Sequence, residues 1–131
     1  MYKAIGEMES IGDSGFNIAR ILQRKNMHNQ KFDDVTIKKL NKMLDLVDSA
    51  LAAMNTNLKL GYTQISGISN AQDAEHDINE YRDNLKEEHL RNIESEESAY
   101  LLGVYYMDLV TEMERVGDYI INVSEAIIEI N

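Results

Sequence analysis

The 131-residue sequence contains no proline, no cysteine and no tryptophan. Without proline, no position is barred from a helix interior by a missing N–H, so long unbroken helices are permitted throughout. Without cysteine there are no disulfides and no thiol nucleophile, a usage that fits a reducing compartment. Positive charge is scarce: 13 Lys and Arg stand against 23 Asp and Glu, a formal net charge of −10 at pH 7. A field of that sign repels nucleic-acid phosphates and anionic headgroups and favours cations or basic partners. Long apolar runs are missing as well. The longest, "YLLGVYYM" at 100–107, is far below the roughly 20 residues a membrane-spanning helix needs. Glu7, Glu9 and Asp13 break up the N-terminal stretch where a signal peptide would be apolar.

What remains is 44% hydrophobic and 27% charged, the composition of one folded domain. The apolar residues recur at helical spacing. Ala4, Met8, Ile11, Gly15, Ile18 and Leu22 step by four and three, predicting a helix over about 2–25. Asp33 or Asp34 is placed to cap a second helix with the seam Ile37, Leu40, Leu44, Val47, Leu51, Met54 and Leu58, and Gly61 to stop it. Ser69 with Gln72 resembles a capping box for a third, over about 70–94, on Ala71, Ala74, Ile78, Tyr81 and Leu85. Ser95, with Glu96 and Glu97 behind it, opens a fourth on Leu102, Tyr106, Leu109, Met113, Val116, Ile120, Val123, Ile127 and Ile130. Short connections between long helices predict an all-α, antiparallel up-down bundle of four helices.

The first and fourth helices repeat each other. "EMESIGDSGFN" (7–17) aligns with "EMERVGDYIIN" (112–122), placing Glu9 on Glu114, Gly12 on Gly117, Asp13 on Asp118 and Asn17 on Asn122. No second and third helix precede the first copy. The expectation is a chain that opens on the final helix of one three-helix unit (1–25) and continues with a complete unit (33–131), as part of a longer polypeptide.

Residues four apart stack on a helix, so Glu9, Asp13 and Asn17 form one column of oxygens and Glu114, Asp118 and Asn122 another. Like charges one turn apart repel, and a bound cation would relieve them. Oxygen ligands suit hard ions such as Mg, Ca, Mn or oxidised Fe. A single ExxxD on a helix is more often a solvated face, but here glycine and asparagine recur with it. Glu75 and Asn79 on the third helix are weaker candidates, and Asp45 and Asp48 weaker still. His28 reads as a loop residue, His89 as a surface residue, and Tyr100, Tyr105 and Tyr106 as core or subunit contacts. Arg115 beside Glu114 is expected to pair with a neighbouring carboxylate.

"EMERVGDYIINVSEAI" closely resembles the E-R-I-G-D-x-x-x-N-I-x-E signature of PhoU-like proteins, and "EMESIGDSGFNIAR" looks like a degenerate first copy. The resemblance covers essentially the whole chain and implies two three-helix units, each ending in a helix with this motif. Ser10 stands in place of the arginine of the first motif, and Asn79 where an aspartate is expected. The resemblance also implies metal ions (Fe, Mn, Mg, Ca or Zn) on Glu9, Asp13, Glu114 and Asp118. It implies a non-enzymatic regulatory role, either as the cytoplasmic C-terminal region of a bacterial sodium/phosphate cotransporter or as a soluble regulator of phosphate uptake and signalling. In the first case the partner is the transmembrane transporter domain of the same polypeptide, at the cytoplasmic face of the inner membrane, the segment itself being soluble. A homo-oligomer is expected, with neither a nucleic-acid partner nor a small-molecule substrate. A carboxylate-bridged di-metal oxidase would need two Glu-x-x-His motifs, against the lone "DAEH" at 73–76. A purely structural bundle is the third reading.

Overall fold

The computed structural model describes residues 2–64, 69–91 and 97–129. They form four helices, α1 (Tyr2–Met27), α2 (Asp34–Gln64), α3 (Ser69–Arg91) and α4 (Glu97–Glu129). At 33 residues α4 is the longest, about 50 Å at 1.5 Å per residue. It packs against all three other helices, and α2 also packs against α3. Among the described residues α1 has no helical neighbour but α4. The all-α bundle is therefore a three-helix core, α2–α3–α4, with α1 laid along the far side of α4.

The ends of these helices have local causes. Asp33 caps α2, its Oδ1 accepting the Thr36 N–H at 2.8 Å, and hydrogen bonding from Thr36, from its side chain first and then from this N–H, holds the Asp33 carboxyl below its ordinary range. At the end of α1, Asn29 takes a left-handed conformation with φ of 56°. The Gln30 N–H bonds the Lys25 carbonyl at 3.0 Å and the Asn29 N–H that of Asn26 at 3.1 Å. This pair of bonds is the Schellman closure, with asparagine in the usual place of glycine. Gly61 does not stop α2, which continues to Gln64; glycine lowers helix propensity without removing the N–H that propagates the ladder. Ser95, Glu96 and Ile130 lie outside the described residues.

The seam of α4 forms the centre of the core. Leu109, Val110, Ile120, Val123 and Ile127 are buried, with Met43 of α2 and Ile78 and Leu85 of α3 against them. Each such side chain contributes about 1.5–3 kcal/mol by leaving water. One polar knot crosses the core. The amides of Asn57 and Asn70 exchange two hydrogen bonds of 3.2 Å, and Asn57 Nδ2 also lies 3.5 Å from Ser124 Oγ.

The α1 seam is only partly covered. Ala4 is buried and Met8, Ile11 and Ile18 are half-buried, while Gly15 and Leu22 are exposed, because one helix covers only part of an apolar stripe. Ile37 and Leu44 of α2 are exposed for the same reason: α2 meets no helix on that side. Tyr105 and Tyr106 are buried, whereas Tyr100 is exposed. His28 follows α1 and stacks with Tyr105 at 6.5 Å. His89 is not a free surface residue. Its ring packs on Tyr106 and against the bare backbone of Gly103, where a Cβ would lie only 2.7 Å from the ring.

Candidate cation site between α3 and α4

The α4 copy of the repeated motif faces α3. Gly117 provides the close approach: a Cβ there would meet Ile78 at 3.1 Å. With α3 held this close, the polar residues flanking Ile78 meet the acidic column. Arg82, one turn after Ile78, forms an ion pair with Glu114 and a second with Asp83 at 2.9 Å. Burial works against the Arg82 charge, and the bonds to Asp83 and Glu114 outweigh it, so its pKa is raised.

On the other side of Ile78, Glu75 and Asp118 line a cavity of about 380 Å³ with Gln72, Ile121, Asn122 and Glu125. Burial, then the field of Asp118, pushes the Glu75 carboxyl above its ordinary range, against a hydrogen bond from Asn79. Asp118 is pushed up by burial and by Glu114, with Arg82 opposing. Asn79 Nδ2 donates to Glu75 Oε1 at 3.5 Å, leaving Glu75 Oε2 and Asn79 Oδ1 buried without a hydrogen-bond partner. Asn122 reaches the other way, donating to Glu7 Oε2 on α1 at 3.2 Å.

These are oxygen donors only, with two carboxylates that resist sharing negative charge and two orphaned oxygens. The set fits a hard cation that keeps several of its waters. Among the described residues, no three histidine or carboxylate side chains converge to cage an ion, so the candidate site is two carboxylates completed by an amide oxygen. His76 is exposed and lies 3.6 Å from Glu80.

The α1 copy has no such neighbour. Glu9 and Asp13 are exposed, and Gly12 has nothing within 4 Å of where a Cβ would sit. Asn17 is half-buried and lines a second cavity, between α1 and α4. The structure thus brings Glu75 of α3 to one cavity with Asp118 and Asn122 of α4, bonds Asn79 to Glu75 and Glu114 to Arg82, and leaves Glu9 and Asp13 apart from them. Asp45 and Asp48 are exposed on α2. Arg115 pairs with Glu112 at 2.7 Å, one turn back along α4.

The sequence reading missed Arg82 as the partner of Glu114. Its signal was spacing: Glu75, Ile78 and Arg82 fall on one helical face at steps of three and four. It also missed the second cavity, where Asn17, Arg20 and Arg24 repeat those steps on α1.

Residues 37–127, which take in most of α2, all of α3 and nearly all of α4, match the PhoU domain family. No curated protein and no solved structure gives a match.

Proposed function

Because the chain belongs to the PhoU family, we propose that it is the regulatory region of a sodium-dependent phosphate transporter, acting from the cytoplasmic face of the membrane and turning over no substrate. The observation that carries the regulatory reading is the α3–α4 cavity: two carboxylates raised by burial and by neighbouring carboxylates, Glu75 by Asp118 and Asp118 by Glu114, beside two buried oxygens without partners. Glu75, Asn79 and Asp118 would hold a divalent or trivalent metal ion there. A bound ion supplies positive charge at a helix seam that otherwise concentrates negative charge. Glu75 on α3 and Asp118 on α4 then share a counter-charge instead of repelling, so occupancy tightens one helix against the other. Arg82 already does this for Glu114 on the far side of Ile78.

The outer face of α1 supports a larger assembly. Ile5 and Phe16 are exposed and the Gly12 notch is open. The same residues of α4 are covered: Ile121, aligned with Phe16, is buried, and Gly117 is filled by Ile78. Further helices of the same polypeptide, with a transmembrane transporter domain attached, would cover this face, and a second copy is the other occupant. No helix among the described residues is long and apolar enough to cross a membrane itself.

The metal reading is tested by elemental analysis of protein purified without chelator, and by thermal unfolding with added Mn²⁺. Saturation at about 100 times the dissociation constant stabilises the folded state by about 2.7 kcal/mol, an increment expected in the parent and absent in Asp118→Ala. No metal and no thermal shift would reject it. The transporter reading is tested by sequencing the complete reading frame: membrane-spanning segments are expected, and a frame without them makes the soluble phosphate-uptake regulator the correct reading.

A further inference from the structure

The second cavity, about 270 Å³ between α1 and α4, has the opposite chemistry. Three of the chain's five arginines, Arg20, Arg24 and Arg115, line it in a protein of net charge −10. Arg115 is engaged by Glu112. The Arg20 guanidinium lies over the Phe16 ring at 5.8 Å. Among the described residues neither Arg20 nor Arg24 has a carboxylate partner. The amide of Asn17 and the hydroxyl of Thr111 add donors to the same wall. The duplication sharpens the contrast, since Asn17 aligns with Asn122 and Arg20 with Glu125, and that second pair lines the acidic cavity. Equivalent positions of the two copies carry inverted charge.

The cavity also holds an acceptor that needs a proton. Glu112 is only 7% exposed; its Oε1 is taken by Arg115, and its Oε2 is buried without a hydrogen-bond partner. A buried carboxylate oxygen in that state costs free energy that a donor recovers. Asp108, exposed on the same wall, adds a second negative charge and disfavours a ligand that offers acceptors alone. Guanidinium groups arriving from two helices suit a tetrahedral oxyanion better than a planar carboxylate, which one guanidinium fork already satisfies. The ligand that meets both demands is an oxyanion that keeps an acidic hydrogen at neutral pH. Hydrogen phosphate does; sulfate does not, and a phosphate monoester, with a second pKa of about 6, has largely lost it.

We propose that the cavity between α1 and α4 binds inorganic hydrogen phosphate, with Arg20 and Arg24 holding its oxygens and Glu112 accepting a hydrogen bond from its P–OH group. This stands on the α1–α4 geometry and does not rest on the transporter reading.

The test is isothermal titration of the whole chain at neutral pH with inorganic phosphate, sulfate and glycerol 3-phosphate. A chelator is present, so that phosphate bridged through a metal at the α3–α4 cavity makes no contribution. Phosphate is expected to bind with a dissociation constant on the order of 1 mM or tighter, and the other two anions at least about tenfold more weakly. Arg20→Gln with Arg24→Gln, both on exposed residues, should abolish binding, while Arg91→Gln, also on an exposed residue, leaves it intact. Glu112→Gln should narrow the gap between phosphate and sulfate. Absence of phosphate binding, equal binding of sulfate, or binding that survives the double arginine substitution would overturn the proposal. Should Glu112→Gln fail to fold, the anion series and the arginine pair still decide it.

Discussion

Glu9, Gly12 and Asp13 on α1 repeat the spacing of Glu114, Gly117 and Asp118 on α4, yet the two sets have different surroundings. On α4 the glycine receives Ile78, the glutamate meets Arg82 and the aspartate is half-buried beside Glu75. On α1 the glycine is open and both carboxylates are exposed. The motif's spacing does not by itself set its surroundings. On α4 a second helix supplies an apolar residue for the glycine notch, and polar residues one turn to either side.

The largest effect should come from closing the notch. Gly117→Leu pushes a side chain into Ile78, and overpacking of this kind costs about 1–3 kcal/mol, read as a lower urea midpoint at unchanged slope. Gly12→Leu, into open space, should show no loss. Next is Arg82→Gln, which leaves Glu114 without its cation and should cost on the order of 1–2 kcal/mol, whereas Glu9→Gln should stay within about 0.5 kcal/mol of the parent. Equal losses for the two members of either pair would mean that α1 is covered as α4 is. Gly12→Ala should stabilise by about 0.5–1 kcal/mol through helix propensity alone.

The smallest effect concerns pH. Glu75 and Asp118 have folded-state pKa values above those of the unfolded chain, so the native state binds more protons across that window. Their contribution to stability is fully present below the unfolded values and is lost as pH rises through the raised ones. Glu75→Gln should therefore melt slightly higher than the parent at neutral pH, and the difference should vanish as the pH falls below the ordinary carboxylate range and the parent's Glu75 takes up its proton. A difference that persists or grows in acid would contradict the repulsion of Glu75 by Asp118.

The helices were legible because their seams step by three and four, and a chain without proline offers no competing break. Which seams would be covered was not legible. Leu22 and Leu44 fit the spacing as well as Leu109 does, yet burial depends on how many neighbours a helix has, and α4 has three where α1 has one. The α4 column of Glu114, Asp118 and Asn122 was readable from spacing alone, and the structure adds that Glu75 shares a cavity with Asp118 and Asn122. Treating Glu9 and Asp13 as equivalents assumed that identical spacing brings identical neighbours. Neighbours come from elsewhere in the chain, and spacing along one helix carries no information about them. Arg82 and Arg20 escaped notice for a related reason: each matters through what lies across a helix interface.

The arrangement of α4 bears on how the molecule is made. Glu7 and Asn122, which join α1 to α4, are separated by 115 positions, and α1 has no other helix to lean on among the described residues. During translation α1 leaves the ribosome long before α4 does, so the face of α1 that carries Ala4, Met8 and Ile11 cannot be covered by α4 until α4 has been made. Closing so long a loop adds little to the equilibrium cost but delays the event. Docking of α1 is therefore expected to be a late step in biogenesis, and the interval before it is when a holdase would find the nascent chain most accessible.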